Sequence, residues 1–128
     1  MADMSISLER VPGEYAAHRL APAADVPAQV WQSPFVSVSR STDELSIITD
    51  AGTHVEAQST QGPWRAYRVP GSIDFTAVGI MSALTAPLAA AGLGILGVST
   101  YDTDYILVRA DAAEAAETTW REAGIEIA

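Results

Sequence analysis

The 128-residue sequence contains no cysteine, which excludes disulfides, thiolate metal ligation and cysteine nucleophiles. Positive charge is scarce: 7 Lys and Arg against 16 Asp and Glu leave a formal net charge of -9. A chain this acidic offers no surface for exchanging counterions with phosphate, so nucleic acid is excluded as a partner class, and an anionic membrane face with it. The opening residues, MADMSISLER, have neither a basic n-region nor an apolar h-region. Nothing there marks the chain for secretion, and the cytoplasm is the expected location.

Catalytic and metal-binding patterns are missing as well. His18 and His54 stand far apart with no acidic spacing around them, so no metal site is expected. There is no G-x-S-x-G, and the G-x-G at residues 92–94 follows a helix and opens a strand, the reverse of a phosphate loop. No catalytic residue and no cofactor is therefore expected, and the chain reads as a non-enzyme. Residues 75–101 lack any charge and are long enough to span a bilayer. Pro87, Gly92, Gly94 and Gly97 break that run, and Asp74 and Asp102 flank it in place of Lys or Arg, so it reads as a helix followed by a buried strand, with no membrane partner.

What is present is a globular composition with an internal repeat. Nearly half the residues are apolar and 18% are charged. The stretch STYDTDYILV, residues 99–108, reads as strand, polar turn and strand; FVSVSRSTDELSII, residues 35–48, repeats that order. Aligning Thr42-Asp43 with Thr103-Asp104 gives an offset of 61, and RVPG at residues 10–13 and again at 68–71 gives 58. The spacings predict a duplicated unit, with residues 1–62 as the first copy plus linker and 63–128 as the second.

In the first copy, residues 5–11 and 14–20 read as a hairpin turned by Pro12-Gly13, because proline presets φ and glycine accepts a positive one. Prolines at 22, 27 and 34 leave room only for a short helical turn over 26–31. The hairpin over 35–50 follows. In the second copy a strand over 64–69 precedes a helix capped by Ser72 or Asp74, with Met81, Leu84 and Leu88 on one stripe and Gly92 as its C′ residue. Pro87 should kink or shorten that helix. Strands over 95–99 and 104–109 come next. A last helix is started by a capping box of Asp111 and Glu114, lined by Ala113, Ala116 and Trp120, and ended by Gly124 before a short strand over 125–127. The order is β-α-β-β-α-β, predicting an α+β protein of two ferredoxin-like units, the first degenerate, with antiparallel sheets and helices on one face.

Residues 71–108 resemble the ACT domain of a group of small bacterial tandem-ACT proteins and of the CASTOR proteins, which sense arginine in animal cells. The hairpin over 35–48 resembles that of their degenerate first unit. The resemblance covers about residues 5–127 and implies a regulatory amino-acid-binding protein of ACT type. It places the ligand between two well-formed units, and since this chain has one, it implies a homodimer that passes ligand occupancy to a further protein partner. Carried over residue by residue, one wall is Gly71, Ser72, Ile73 and Asp74 in the loop, Ala77 at the helix start, and Thr100, Tyr101, Thr103 and Asp104 in the hairpin. The facing wall is Ala91, Leu93, Gly94 and Ile95; Ala91 and Gly94 replace larger or polar residues of the sensors.

The chemistry of these residues suits a free amino acid. Amides where a loop enters a helix N-terminus receive a carboxylate, and Asp74 or Asp104 pairs with a cationic group. Acidic residues at 74, 102 and 104 tilt the ligand toward arginine or lysine. Structural explanations stand beside these: Asp74 as a helix cap, Thr103 and Asp104 as turn-fixing residues, Tyr101 as a hairpin packing residue. On those explanations the chain is an ACT-like interaction module with no small ligand.

Overall fold

A computed structural model describes residues 6–71 and 79–128. In order the elements are β1 (Ser7–Leu20), a 3-10 turn (Ala28–Gln32), β2 (Ser37–Arg40), β3 (Leu45–Asp50), β4 (Ser59–Arg68), α1 (Ile80–Ala90), β5 (Ile95–Ser99), β6 (Asp104–Arg109), α2 (Ala113–Glu122) and β7 (Glu126–Ile127). The chain forms two compact units, Gly13–Trp64 and Met1–Pro12 with Arg65–Ala128. Their boundaries fall inside β1 and β4.

The unit Gly13–Trp64 is a small antiparallel sheet in the order β2-β3-β1 with the start of β4 beside β1. β3 alternates buried and half-buried residues, the pattern of a strand with one covered face. Leu45 and Ile47 from that face pack with Leu20, Val30 and Val55. Three prolines confine helical structure to the 3-10 turn, as the sequence predicts.

The other unit is β4-α1-β5-β6-α2-β7, the expected βαββαβ order, with both helices packed on one side of the sheet. Its strand order is β7-β1-β4-β6-β5, so the first residues of β1 lie between β4 and β7. β7 runs parallel to β1, pairing Ser7 with Glu126 and Leu8 with Ile127. Leu8, Tyr67, Ile106 and Val108 from the sheet meet Leu84 and Leu88 of α1 and Ala116 and Trp120 of α2. The Trp120 indole donates to the Leu84 carbonyl at 2.8 Å and packs edge-on against Tyr67.

Both helices end the same way. Gly92 and Gly124 take φ of +76° and +86°. The next amides, Leu93 and Ile125, reach back to Leu88 and Trp120 at 2.9 Å each. This is the Schellman closure, and it turns Leu93 and Ile125 onto the core.

Three expectations are corrected, and a fourth falls outside the described residues. Pro12-Gly13 does not reverse the chain: β1 runs through it, with Gly13 at φ +92° as a local irregularity. Residues before this point pair with β7 and residues after it with β3, which holds the chain extended, and these long-range bonds outweigh local turn chemistry. The N-cap of α1 is Gly79, at φ 84°; a left-handed residue cannot continue a helix, and α1 begins after it, while the caps expected at Ser72 or Asp74 lie outside the described residues. Pro87 does not end α1, which runs to Ala90. The capping box of Asp111 and Glu114 does not form, because a 3-10 turn, Ala110–Ala112, leads into α2 and puts Ala112, with no acceptor, at the cap.

Candidate functional site

Ser72, Ile73, Asp74 and Ala77 lie outside the described residues. The remaining predicted residues fall into two groups. Gly71 stands just past β4 with φ +82°, a backbone conformation that suits glycine. The strand end before it is tied to the β5–β6 hairpin: the Val69 amide donates to the Asp104 carbonyl at 3.1 Å, and the Thr103 hydroxyl donates to the Val69 carbonyl at 2.6 Å. The structure therefore joins Thr103 and Asp104 to the strand end two residues before Gly71.

The hairpin turn is closed by hydroxyls. The Thr100 amide and hydroxyl both donate to the Thr103 carbonyl, at 2.8 and 3.1 Å, and the Thr100 oxygen accepts from the Thr103 amide at 3.3 Å. Thr103 is 4% exposed, whereas Tyr101 at the tip is 81% exposed. Ser99, which sequence reasoning passed over, donates to Asp104 Oδ1 at 2.7 Å from the directly opposed position across the hairpin. A hydroxyl facing a carboxylate in hairpin register was the signal that could have found it.

Ala91, Leu93, Gly94 and Ile95 stand at the other end of β5. Four strand steps separate Ile95 from Ser99, about 13 Å, so a single chain does not bring this group to the hairpin turn. A Cβ added at Gly94 would meet nothing within 4 Å in the single chain. β5 closes the strand order, paired with β6 alone among the described residues, and its sequence ILGVS carries no charge to protect that edge.

The strongest electrostatic cluster lies elsewhere. Glu117 of α2 accepts a bidentate contact from Arg10, at 3.0 and 2.6 Å, a bond from the Tyr67 hydroxyl at 2.6 Å, and one from Arg121 at 3.1 Å. The Arg10 hydrogen bond is the main reason its carboxyl is held down at about 2. Burial, then the bond to Glu117, pushes the Tyr67 phenol well above its ordinary value. The cluster fastens β1 and β4 to α2. Its sequence signal was a carboxylate between Ala113 and Trp120 on an apolar stripe, which requires a buried partner. Arg68 pairs likewise with Glu9.

The two hairpins share one register. The Ser41 amide donates to the Glu44 carbonyl at 2.9 Å as Thr100 does to Thr103, and Arg40 pairs with Leu45 as Ser99 does with Asp104. The offset is 59 throughout, not 61. Thr42-Asp43 thus corresponds to Tyr101-Asp102; the backbone bond across the turn sets the frame, and the repeated Thr-Asp pair does not.

Open grooves lie away from these residues, one against Leu20, His54 and Val55, another against Ser7, Arg121 and Ile125. Among the described residues no group of His, Asp and Glu could hold a metal ion, and no helix is long and apolar enough to cross a membrane.

Comparison with known proteins adds the family context. A family model described as an ACT domain matches residues 59–122, and a second, describing an N-terminal domain, matches residues 13–51. A protein of known crystal structure from Agobacterium tumefaciens is 31% identical, with a TM-score of 0.88 over 98% of this chain and 94% of that one. A Vibrio cholerae protein of unknown function, described as a possible transport protein, shares the fold at 19% identity and TM-score 0.72, covering 94% of this chain and 91% of that one. Aspartokinase alpha and beta subunits share it at 15% identity and TM-score 0.60, covering 95% of this chain and 98% of that one. No curated protein matches.

Proposed function

This chain belongs to the ACT-domain family, and from that premise we propose that it is a regulatory protein binding a small amino acid at an interface between ACT domains of a homodimer. ACT domains in general bind amino acids in regulation and dimerise. The observation that carries the proposal is the division of the site. The hairpin turn is tied through Thr103 to Val69, two residues before Gly71, which supports one wall there, while Ala91, Leu93, Gly94 and Ile95 stand at the far end of β5 and would make the second. A second copy supplies the missing wall. The uncharged β5 edge and the exposed Tyr101 support such pairing.

Resemblance to the arginine sensors, with Asp102 and Asp104 at the turn, supports a cationic amino acid, arginine or lysine, whose occupancy is passed to a protein partner. The common hairpin register supports a chain built as two ACT-like units, a degenerate one over 1–62 and a fuller one over 63–128. Binding, not catalysis, is the role assigned.

A second reading, an ACT-like interaction module with no small ligand, is favoured by one observation: the Thr100 and Thr103 hydroxyls are already spent on the turn and on Val69. A thermal-denaturation screen against the twenty amino acids separates the two. At a hundredfold excess over Kd a ligand stabilises by about 2.7 kcal/mol, so one amino acid at millimolar concentration should raise the midpoint by several degrees. No shift with any of them leaves the interaction module standing.

A further inference from the structure

His18 lies on β1 in the unit Gly13–Trp64, on the face that also carries Ala16 and Leu20 and directly across from Ile47 of β3. Its residue surface is 6% exposed. Nδ1 lies 3.0 Å from the Thr60 hydroxyl of β4, so the ring joins β1 to β4. Nε2 has no hydrogen-bond partner among the described residues, and neither does the hydroxyl of fully buried Thr49. Thr49 pairs with Ala16, which sets it diagonally across the ladder from His18.

The surroundings hold no countercharge. On β3 the same face presents Leu45, Ile47 and Thr49; residues 59–64 of β4 and the 3-10 turn Ala28–Gln32 contain no charged side chain. Arg40 of β2 shares the face opposite Leu45 but is a cation, exposed and held by the Pro22 and Ala24 carbonyls, and Asp25, in the segment over that face, is exposed. His54 and Glu56 flank buried Val55 and are exposed. Glu14 stands four residues along the same strand, about 13 Å away, while Arg19, pairing with Glu44, belongs to the opposite face. Burial alone lowers the His18 pKa, with no contribution from any charge.

We propose that His18 is a proton-operated latch of the unit Gly13–Trp64: neutral, it holds Thr60 of β4 to β1, and on protonation it places an uncompensated cation in the apolar face and loosens that unit. Because the ring is harder to protonate folded than unfolded, the stabilisation is complete above the unfolded value of about 6.5. It is lost as pH falls from there through the folded value.

Hydrogen exchange of residues 15–20 and 45–50, corrected for intrinsic rates, tests this between pH 7.5 and 5. One proton taken up on opening should raise the opening constant by up to about tenfold per pH unit below 6.5. His18→Gln should flatten that response and His54→Gln should leave it. A flat wild-type profile, or a response that survives His18→Gln, overturns the latch. Should His18→Gln fail to fold, NMR titration of the wild-type imidazole decides: a His18 midpoint below the unfolded value is expected, and a ring half-protonated at about 6.5 or above overturns the proposal.

Discussion

In the hairpin β2–β3 the Ser41 oxygen accepts the amides of Asp43 and Glu44, and Arg40 pairs with Leu45. In β5–β6 Thr100 takes the same part and Ser99 pairs with Asp104. What differs is what each hairpin is joined to. The first turn is exposed, and beyond its own bonds it meets the half-exposed Arg19 of β1, through the Asp43 carbonyl and the Glu44 carboxylate. The second is anchored through buried Thr103 to the strand end that leads into Gly71, in a unit whose helices supply a core around Trp120. The same local device serves as a plain reversal in one place and as one wall of a candidate site in the other, because the helix-backed unit alone gives it a loop to hold.

The comparison breaks most severely where the helices are removed from it. Trp120→Ala empties the centre of the helix-backed core and should cost about 3–5 kcal/mol in chemical denaturation. Val30→Ala, the corresponding insult in the helix-poor unit, should cost roughly 2 kcal/mol. Equal losses would mean that α2 does not carry its unit.

The next effect belongs to Glu117. Its carboxyl is held at about 2 chiefly by Arg10, against an ordinary value of 4.5. The depressed pKa gives stabilisation that is present above 4.5 and lost as pH falls toward 2. Glu117→Gln should lower neutral-pH stability by about 1–3 kcal/mol and flatten that acid limb, as followed by denaturation at stepped pH.

The hairpins themselves are compared by two small changes. Thr103→Val strands the Val69 carbonyl and should cost about 1–2 kcal/mol, while Ser41→Ala at the exposed turn should stay within about 0.5 kcal/mol. Similar costs would make the two turns equivalent after all. Smallest of all is Gly94→Phe, at an exposed position where an added Cβ meets nothing within 4 Å, and it should leave the stability of the single chain within about 0.5 kcal/mol.

Legibility in the sequence followed the range of the interaction. β5 and β6 are bounded by apolar runs around STYDTD, and the helix ends by Gly92 and Gly124, each a local signal, and both appear where expected. Pro12-Gly13 carried an equally clear turn signal and misled, because its conformation is set by β3 and β7. The Arg10–Glu117 pair spans 107 positions, and no spacing rule reaches that far. Of the candidate site, Thr103 and Asp104 were named in advance, as were the two groups at either end of the strand over 95–99, but Ser99 and the tie through Val69 were not, because those bonds join residues that no local pattern links.

A site shared between two copies is tested most directly by wall complementation. Asp104→Ala damages one wall and Gly94→Phe the other; each alone should abolish the calorimetric binding of the amino acid that stabilises the wild type. Mixing the two after subunit exchange should restore about a quarter of the wild-type sites, since half the dimers are mixed and each then holds one intact pair of walls. A mixture that binds no more than its components, or a Gly94→Phe variant that binds as the wild type does, would contradict it.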